Sequence, residues 1–370
     1  MNPTVCHITS VHPPDDIRIF RKECVSLANN GYKVILLAAG AKDEVINGVS
    51  VCGTEKIGHR LKRILCSSSK MYRQALNCDA RIYHFHDPEL LRLGAKLVRK
   101  GKIVIYDAHE DLPRQIYTKH WIPEKLKKLM AFITEKAENY YAGKMSAIIT
   151  ATPHIEERFR KIHPLVVNIN NYPCPGEVNP ADWNKKYDET CYIGGILRER
   201  GITEMIRATE KSGIRLNLAG NMAPVQMKKE LEQEKGWKNV RFYGFVDRQG
   251  IVSILDRSRI GLLVLHPLPS YRDSLPIKLF EYMAAGIPVI CSNFELWRNI
   301  VEKNQCGVCV DPLDVDAIVE AIRFLIDNPA RAEAMGTNGR AAVEEKYSWE
   351  RESEKLRQLY QQLWASRVSS

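Results

Sequence analysis

The 370-residue chain contains no apolar run of the ~18–20 residues that a bilayer-crossing helix requires. Its opening, MNPTVCHITSVHPPDD, lacks the basic-then-apolar order of a secretory leader. The expectation is therefore an intracellular, cytoplasmic protein. The GxGxxG, Walker A and GxSxG patterns are also missing, which counts against dehydrogenases, P-loop nucleotidases and α/β-hydrolases. No zinc-finger or RRM-like signature accompanies the basic residues, so no nucleic-acid partner is expected. Ten cysteines are too dispersed for a disulfide scaffold, and Cys6, Cys191 and Cys291 sit in apolar runs where a small hydrophobe fits. Cys306 and Cys309 have the CxxC spacing of a redox pair. They lie, however, in the alternating segment QCGVCVDP, away from a strand-to-helix junction that would activate a thiol, so they read as structural.

What is present begins with charge. Lys and Arg number 54 against 44 Asp and Glu, a formal net charge of +10 that favours anionic partners. Basic residues gather at 59–73 and at 124–136, EKLKKLMAFITEK. Drawn as a helix, the second stretch places Leu126, Leu129, Met130 and Ile133 on one face, with Lys125, Lys127 and Lys128 around the rest. Such a helix either packs its apolar face on a sheet or lies on anionic lipid.

The length implies two domains. Short apolar runs alternate with helical periods: VCHIT, KVILLA, GVSVC, ARIYHF, KIVIYD, SAIIT and LVVNIN, then TCYIGG, RLNLAG, VRFYGF, IGLLVL, IPVICS and GVCVDP. This pattern predicts an α/β protein with two doubly wound parallel sheets and a cleft between them, the chemistry lying in loops after the strands. Residues 171–187, with three prolines and no apolar period, read as a linker. The divisions are 1–170, the linker, 188–345, and a C-terminal helix and tail at 346–370. Tyr347, Trp349, Tyr360 and Trp364 form an aromatic stripe in that last segment.

One stretch carries chemistry. SLPIKLFEYMAAGIPVIC (274–291) predicts a helix over 275–285, with Ser274 as N-cap, Pro276 in the first turn and Gly286 as the stop. Ser274, Lys278 and Glu281 share one face. Free N–H groups at the helix start suit a phosphate, and Glu281 can accept two hydrogen bonds from a ribose diol. An amphipathic helix with an ordinary Lys278–Glu281 ion pair fits the same spacing.

Asp273, Ser274, Leu275, Pro276, Lys278, Glu281 and the trailing AAGIPV resemble the acidic-x7-Glu donor motif of retaining GT-B glycosyltransferases of family 4. The resemblance covers essentially the whole chain. It implies a GT-B fold, with a terminal helix crossing back to the first domain. In YIGGILRERGITEMIRA (192–208), Arg200 matches the basic residue of the family's donor loop. Gly194 and Gly195 lie in that loop, and Gly195 stands where many relatives have a second basic residue, leaving Arg198 to substitute. LAGN, with Gly220 and Asn221, and FYGFV, with Phe245, resemble the nucleotide-lining loops.

In the first domain, HFHDPELL and YDAHEDLP follow strands, and His84 and His86 project from one side, an arrangement open to a metal. The family is generally metal-independent, so none is expected. His109 matches the family's active-site histidine. His12, Asp15, Asp16, Arg18 and Glu110 are acceptor-side candidates, although Asp16 is also placed to cap a helix near Ile17. A Pro13-Pro14-Asp15-Asp16 run replaces the Gly-Gly pair of many relatives. The resemblance implies transfer of a sugar, with retention, from a UDP- or GDP-linked donor to a glycan or lipid-linked saccharide acceptor. The setting implied is surface or capsular polysaccharide assembly, with peripheral contact to anionic membrane and no cofactor beyond the donor. An epimerase, a hydrolase or a non-catalytic sugar-nucleotide binder on the same fold are the competing readings.

Overall fold

The computed structural model describes residues 2–55, 68–118, 122–174, 176–222 and 225–368. The basic stretch at 59–73 lies mostly outside them. The chain divides into two compact units, Met1–Asn171 with Trp349–Ser370, and Tyr172–Ser348.

The first unit holds eight strands: β1 (Thr4–Thr9), β2 (Lys33–Ala39), β3 (Glu44–Ile46), β4 (Val49–Thr54), β5 (Ile82–Phe85), β6 (Ile103–Ala108), β7 (Ala147–Thr150) and β8 (Val166–Asn168). Their order is β3-β4-β2-β1-β5-β6-β7-β8, parallel throughout except at β3–β4. Every residue of β5, β6 and β7 is buried, as expected of a parallel sheet covered on both faces. Strand β3 was not anticipated. It is exposed and joined to β4 by Asn47-Gly48, both at positive φ (51° and 77°), the dipeptide that a tight hairpin turn favours.

On one face of this sheet Cys6, Ile8, Tyr83, Phe85 and Tyr106 enter an apolar core. Period-2 alternation sends His7 and His84, paired in register, to the other face. Against them stand the helical segment Ile17–Cys24 and the helix Trp349–Val368, the latter returning the chain to its first unit. Trp349 Nε1 donates to Ser26 Oγ at 2.9 Å, and the Tyr360 ring is fully buried.

The helix Glu124–Ala142 corrects the packing reading of its sequence. Leu126, Leu129, Met130, Phe132, Ile133 and Tyr140 are all exposed, from 37 to 61%. The inward residues are Lys127, Ala131, Glu138 and Ala142. Glu138 sets this rotation, because its buried carboxylate accepts from Tyr106 Oη (2.8 Å) and from Arg158 (2.8 Å). Burying the apolar stripe instead would strand that carboxylate.

The second unit contains β9 (Tyr187–Ile193), β10 (Arg215–Ala219), β11 (Val240–Gly244), β12 (Ser258–Leu263), β13 (Val289–Ser292) and β14 (Gly307–Val310). Its all-parallel order is β11-β10-β9-β12-β13-β14. The proline-rich segment read as a linker is instead packed into this unit: Tyr172, Val178 and Trp183 are buried in its core. Cys309 Sγ lies 3.7 Å from Cys291 Sγ on the adjacent strand rather than pairing with Cys306, so the CxxC spacing is structural.

Candidate active site

In the second unit, chain order reverses at β9, whose neighbours are β10 and β12. Such switch points leave a crevice beyond the strand ends. The loops there are tied together by backbone bonds: Gly194 N–H donates to Ala219 O, Ile196 N–H to Asn221 O and Gly220 N–H to Gly244 O, at 2.7–2.9 Å. A Cβ on Gly220 would fall 1.7 Å from Gly194 O, and one on Gly194 would fall 2.0 Å from Lys278 Cε. At Gly220, where the neighbour is backbone, only glycine permits the approach; at Gly194 the neighbour is the end of the Lys278 stem, which lies across the Gly194 backbone.

Arg200 joins the same loop, its guanidinium about van der Waals distance (3.5 Å) from where a Gly195 Cβ would stand. Burial opposes its charge, but the Tyr192 and Tyr271 hydroxyls hold it. Burial, with Arg200 beside it, pulls Lys278 down to about 8. Among the described residues Lys278 has no ion-pair partner. Two cationic groups therefore lie against glycine-rich backbone, with Glu281 near enough to favour the Lys278 charge but in no ion pair with it among the described residues, an arrangement suited to an anion.

The helix runs Ile277–Ala284, shorter than predicted, with Pro276 as N-cap. Ser274 does not cap it. Its Oγ donates to Tyr271 O at 2.9 Å, and its carbonyl accepts from Trp297 Nε1 at 2.7 Å, which fixes the loop carrying Asp273 and Leu275. Gly286, at φ 66°, ends the helix as expected. Lys278 and Glu281 lie on its less buried side, while Leu279, Phe280, Tyr282 and Met283 are buried. The partner of Glu281 is not Lys278. Arg248 donates to Glu281 Oε1 at 2.6 Å and pairs with Glu177 at 3.3 Å. Arg248 escaped sequence reading because nothing in its spacing links it to a helix 30 residues on.

Arg198 does not join Arg200, contrary to the substitution expected of it. It is exposed, pairs with Glu230 at 2.9 Å, and lines a polar recess of about 220 Å³ with Glu204, Arg207 and Glu234. The intervening turn faces it the other way, since Arg198 and Arg200 are the first and last residues of one 3₁₀ turn. Phe245 is 75% exposed beyond Gly244 and Asn221 is exposed, both open to a ligand.

In the first unit the strand ends of β1, β5 and β6 gather a second set. Asp87 accepts from Thr9 Oγ1 (2.9 Å) and Ser10 N–H (2.6 Å), and pairs with His12 Nδ1 at 3.0 Å. Burial opposes its ionisation, yet these partners hold Asp87 down to about 2. Burial lowers the pKa of His12, but the Asp87 carboxylate more than offsets it and the net shift is upward. The His12 and His109 rings lie 5.1 Å apart. His109 Nε2 is 2.9 Å from Asp107 Oδ2 and 3.1 Å from His86 Nδ1.

Below them, Arg18 bridges Asp107 through Nε (3.1 Å) and a terminal nitrogen (3.0 Å) and donates to Ile169 O at 2.9 Å. Arg18 is 4% exposed, so it is not the acceptor contact expected of it; it charge-pairs the interior. Burial would raise Asp107, but Arg18 and His109 keep it well below the usual carboxylate range. Burial and the nearby Asp107 push Glu23 well up, while burial drives His7 and His84 well down and His86 to about 4. Asp16 caps the helical segment, accepting from Arg18 and Ile19 N–H at 2.9 Å. Asp15 and Glu110 are exposed, the latter bonded to Gln115.

Residues 177–342 match the family Glycosyl transferases group 1. That match contains Arg200, Lys278, Glu281 and the glycines described with them. Over 178 residues the chain is 25% identical to glycogen synthase of Mycobacterium tuberculosis, covering 46% of this chain and 42% of that protein. It thus spans less than half the length of that relative. Sucrose-phosphate synthase from Thermosynechococcus elongatus has the same fold, with a TM-score of 0.80 over 98% of this chain and 99% of its own at 18% identity. The Anabaena protein HepE, in complex with UDP, gives 0.73 over 97% and 100% at 12% identity. These likenesses establish the GT-B fold: two doubly wound parallel-sheet units, with the C-terminal helix in the first.

Proposed function

We propose that this protein is a retaining glycosyltransferase that moves a sugar from a UDP- or GDP-linked donor to an acceptor hydroxyl. The observation that carries this reading is the pair Arg200 and Lys278, neither in an ion pair among the described residues and both laid against Gly194 and Gly195 at the switch point of the second sheet. Cleavage of a glycosyl-phosphate bond leaves negative charge on a diphosphate. Fixed cations and oriented N–H groups at that place stabilise the leaving group without a divalent ion. Glu281, held by Arg248, takes the nucleotide ribose, Asp273 takes donor-sugar hydroxyls, and the Phe245 backbone takes the base. His109 is the first unit's reacting group, and His12, Asp15 and Glu110 serve the acceptor.

The acceptor we propose is a lipid-linked saccharide of surface-polysaccharide assembly. Support comes from the helix Glu124–Ala142, whose exposed Leu126, Leu129, Met130 and Ile133 are interleaved with exposed Lys125, Lys128 and Lys136, a pattern suited to an anionic bilayer surface. Co-sedimentation with anionic vesicles should be lost in Leu129→Glu and absent for neutral vesicles.

Thermal shift with UDP, GDP, ADP and their sugar conjugates tests the donor site. One nucleotide should raise the melting temperature of the wild type and not of Glu281→Ala. No shift from any of them would return the helix Ile277–Ala284 to a structural role. Turnover that persists in His109→Ala would remove that histidine from the reaction.

A further inference from the structure

The buried histidines of the first unit are not used by the sugar-transfer reading. Glu23 Oε2 stands 3.9 Å from each of three imidazole nitrogens, Nδ1 of His7, Nδ1 of His84 and Nε2 of His86. His7 Nδ1 and His86 Nε2 are 3.0 Å apart. One ligand atom from each of the four residues lies within 4.8 Å of all the others, and every one of the four is at most 1% exposed. Neither Glu23 oxygen makes a hydrogen bond among the described residues. Arg18 charge-pairs with Oε1, but Oε2 is ringed by imidazoles too distant to donate to it and is left without a hydrogen-bond partner among the described residues.

We propose that His7, His84, His86 and Glu23 bind one divalent transition-metal ion of the zinc class. Bonds of 2.0–2.1 Å around a four-coordinate ion put its ligand atoms about 3.3 Å apart, and the separations of 3.0 and 3.9 Å bracket that value. Three nitrogens and one oxygen select zinc or a neighbouring metal over calcium or magnesium, which prefer oxygen ligands.

Two of the three histidines have the outer contact that a ligating histidine makes through its second nitrogen. His86 Nδ1 is 3.3 Å from Asp107 Oδ2 and 3.1 Å from His109 Nε2, and His7 Nε2 is 3.2 Å from Tyr360 Oη; His84 Nε2, 3.8 Å from Asp107 Oδ2, makes no hydrogen bond among the described residues. Arg18 Nε lies 3.1 Å from Glu23 Oε1, leaving Oε2 for the ion. The Tyr360 hydroxyl, 2.8 Å from His84 Nδ1, must turn its proton away when that nitrogen ligates. With four protein ligands and full burial the site is closed, so the ion holds together β1, β5 and the helical segment Ile17–Cys24 and takes no part in sugar transfer. The inference does not depend on the donor assignment.

The test uses the full chain, purified through a tag free of histidine from cells grown with zinc. Elemental analysis should find about one zinc per chain after desalting, and less than a tenth of that in Glu23→Gln and His84→Gln. Chelation should lower the melting temperature of the wild type, with recovery on adding zinc and none with magnesium. If the variants do not fold, cobalt loaded into the wild type should give the visible absorption of a four-coordinate site. Two results would overturn the proposal. One is folded wild type that retains no metal and whose melting temperature ignores both zinc and chelator, which leaves a hydrogen-bonded histidine chain around a protonated Glu23. The other is equal zinc in wild type and both variants, which puts the ion elsewhere.

Discussion

In the first unit, polar groups go inside: Glu23, His7, His84 and Asp107 are fully buried around Arg18. The second unit keeps Arg200 and Lys278 at its strand ends, over glycines, and packs Leu262, Ile290, Met283 and Trp297 within. Both are doubly wound sheets, one of eight strands and parallel except at β3–β4, the other of six and parallel throughout. The difference shows that this architecture asks only that each buried polar group find a partner. The first unit meets that demand with a network around Arg18 at its centre, while the second keeps a smaller one at Glu189, which accepts from Arg257 Nε at 2.7 Å and Asn217 Nδ2 at 2.8 Å, and brings glycine backbone to the far ends of its strands.

The sharpest way to break the comparison is Arg18→Ala. Two buried carboxylates would lose their cation, and unfolding in urea should show a loss of about 3–5 kcal/mol. A loss below about 1 kcal/mol would mean that the interior of the first unit is not held by charge pairing. In the second unit the matching test is Gly201→Ala, whose Cβ would meet Val264 O at 1.9 Å, set against Gly213→Ala, which has equally left-handed backbone (φ 72° and 77°) but nothing within 4 Å. The first should cost roughly 2–3 kcal/mol and the second about 1 kcal/mol. Equal losses would remove close approach as the reason for glycine there.

The smallest effect concerns pH. Lys278 carries its proton below about 8 and releases it above. A bound diphosphate favours the charged form, so binding takes up a proton, and affinity for the nucleotide should fall roughly tenfold per unit above pH 8. Lys278→Met should bind weakly and without that slope, as titration calorimetry at pH 7 and pH 9 would show.

Strand positions were legible because β-branched apolar runs buried on both faces have few other uses. So were the glycines after the strands of the second unit, Gly194 and Gly220, whose place is one of close backbone contact. Three things were not. The rotation of the helix Glu124–Ala142 follows Glu138, a single carboxylate whose partners Tyr106 and Arg158 lie 32 residues before it and 20 after it, and apolar periodicity is blind to such a bond. Arg248 reaches Glu281 through tertiary folding alone. His84 and His86 could be seen to share a side, but His7 joins them only because β1 lies next to β5, an order that spacing does not reveal. The Asn47-Gly48 turn, by contrast, was in plain view before β4 and marks the hairpin that sequence reading passed over.

The return of the helix Trp349–Val368 to the first unit also sets an order of events during synthesis. Tyr360 bonds to His7 across 353 positions of sequence. On the ribosome, β1 emerges long before the residue that closes its polar face, while all of the second unit is made in between. The second unit can therefore fold first, and the first must wait with its histidine face open, which makes that interval the chain's period of greatest exposure to misassembly.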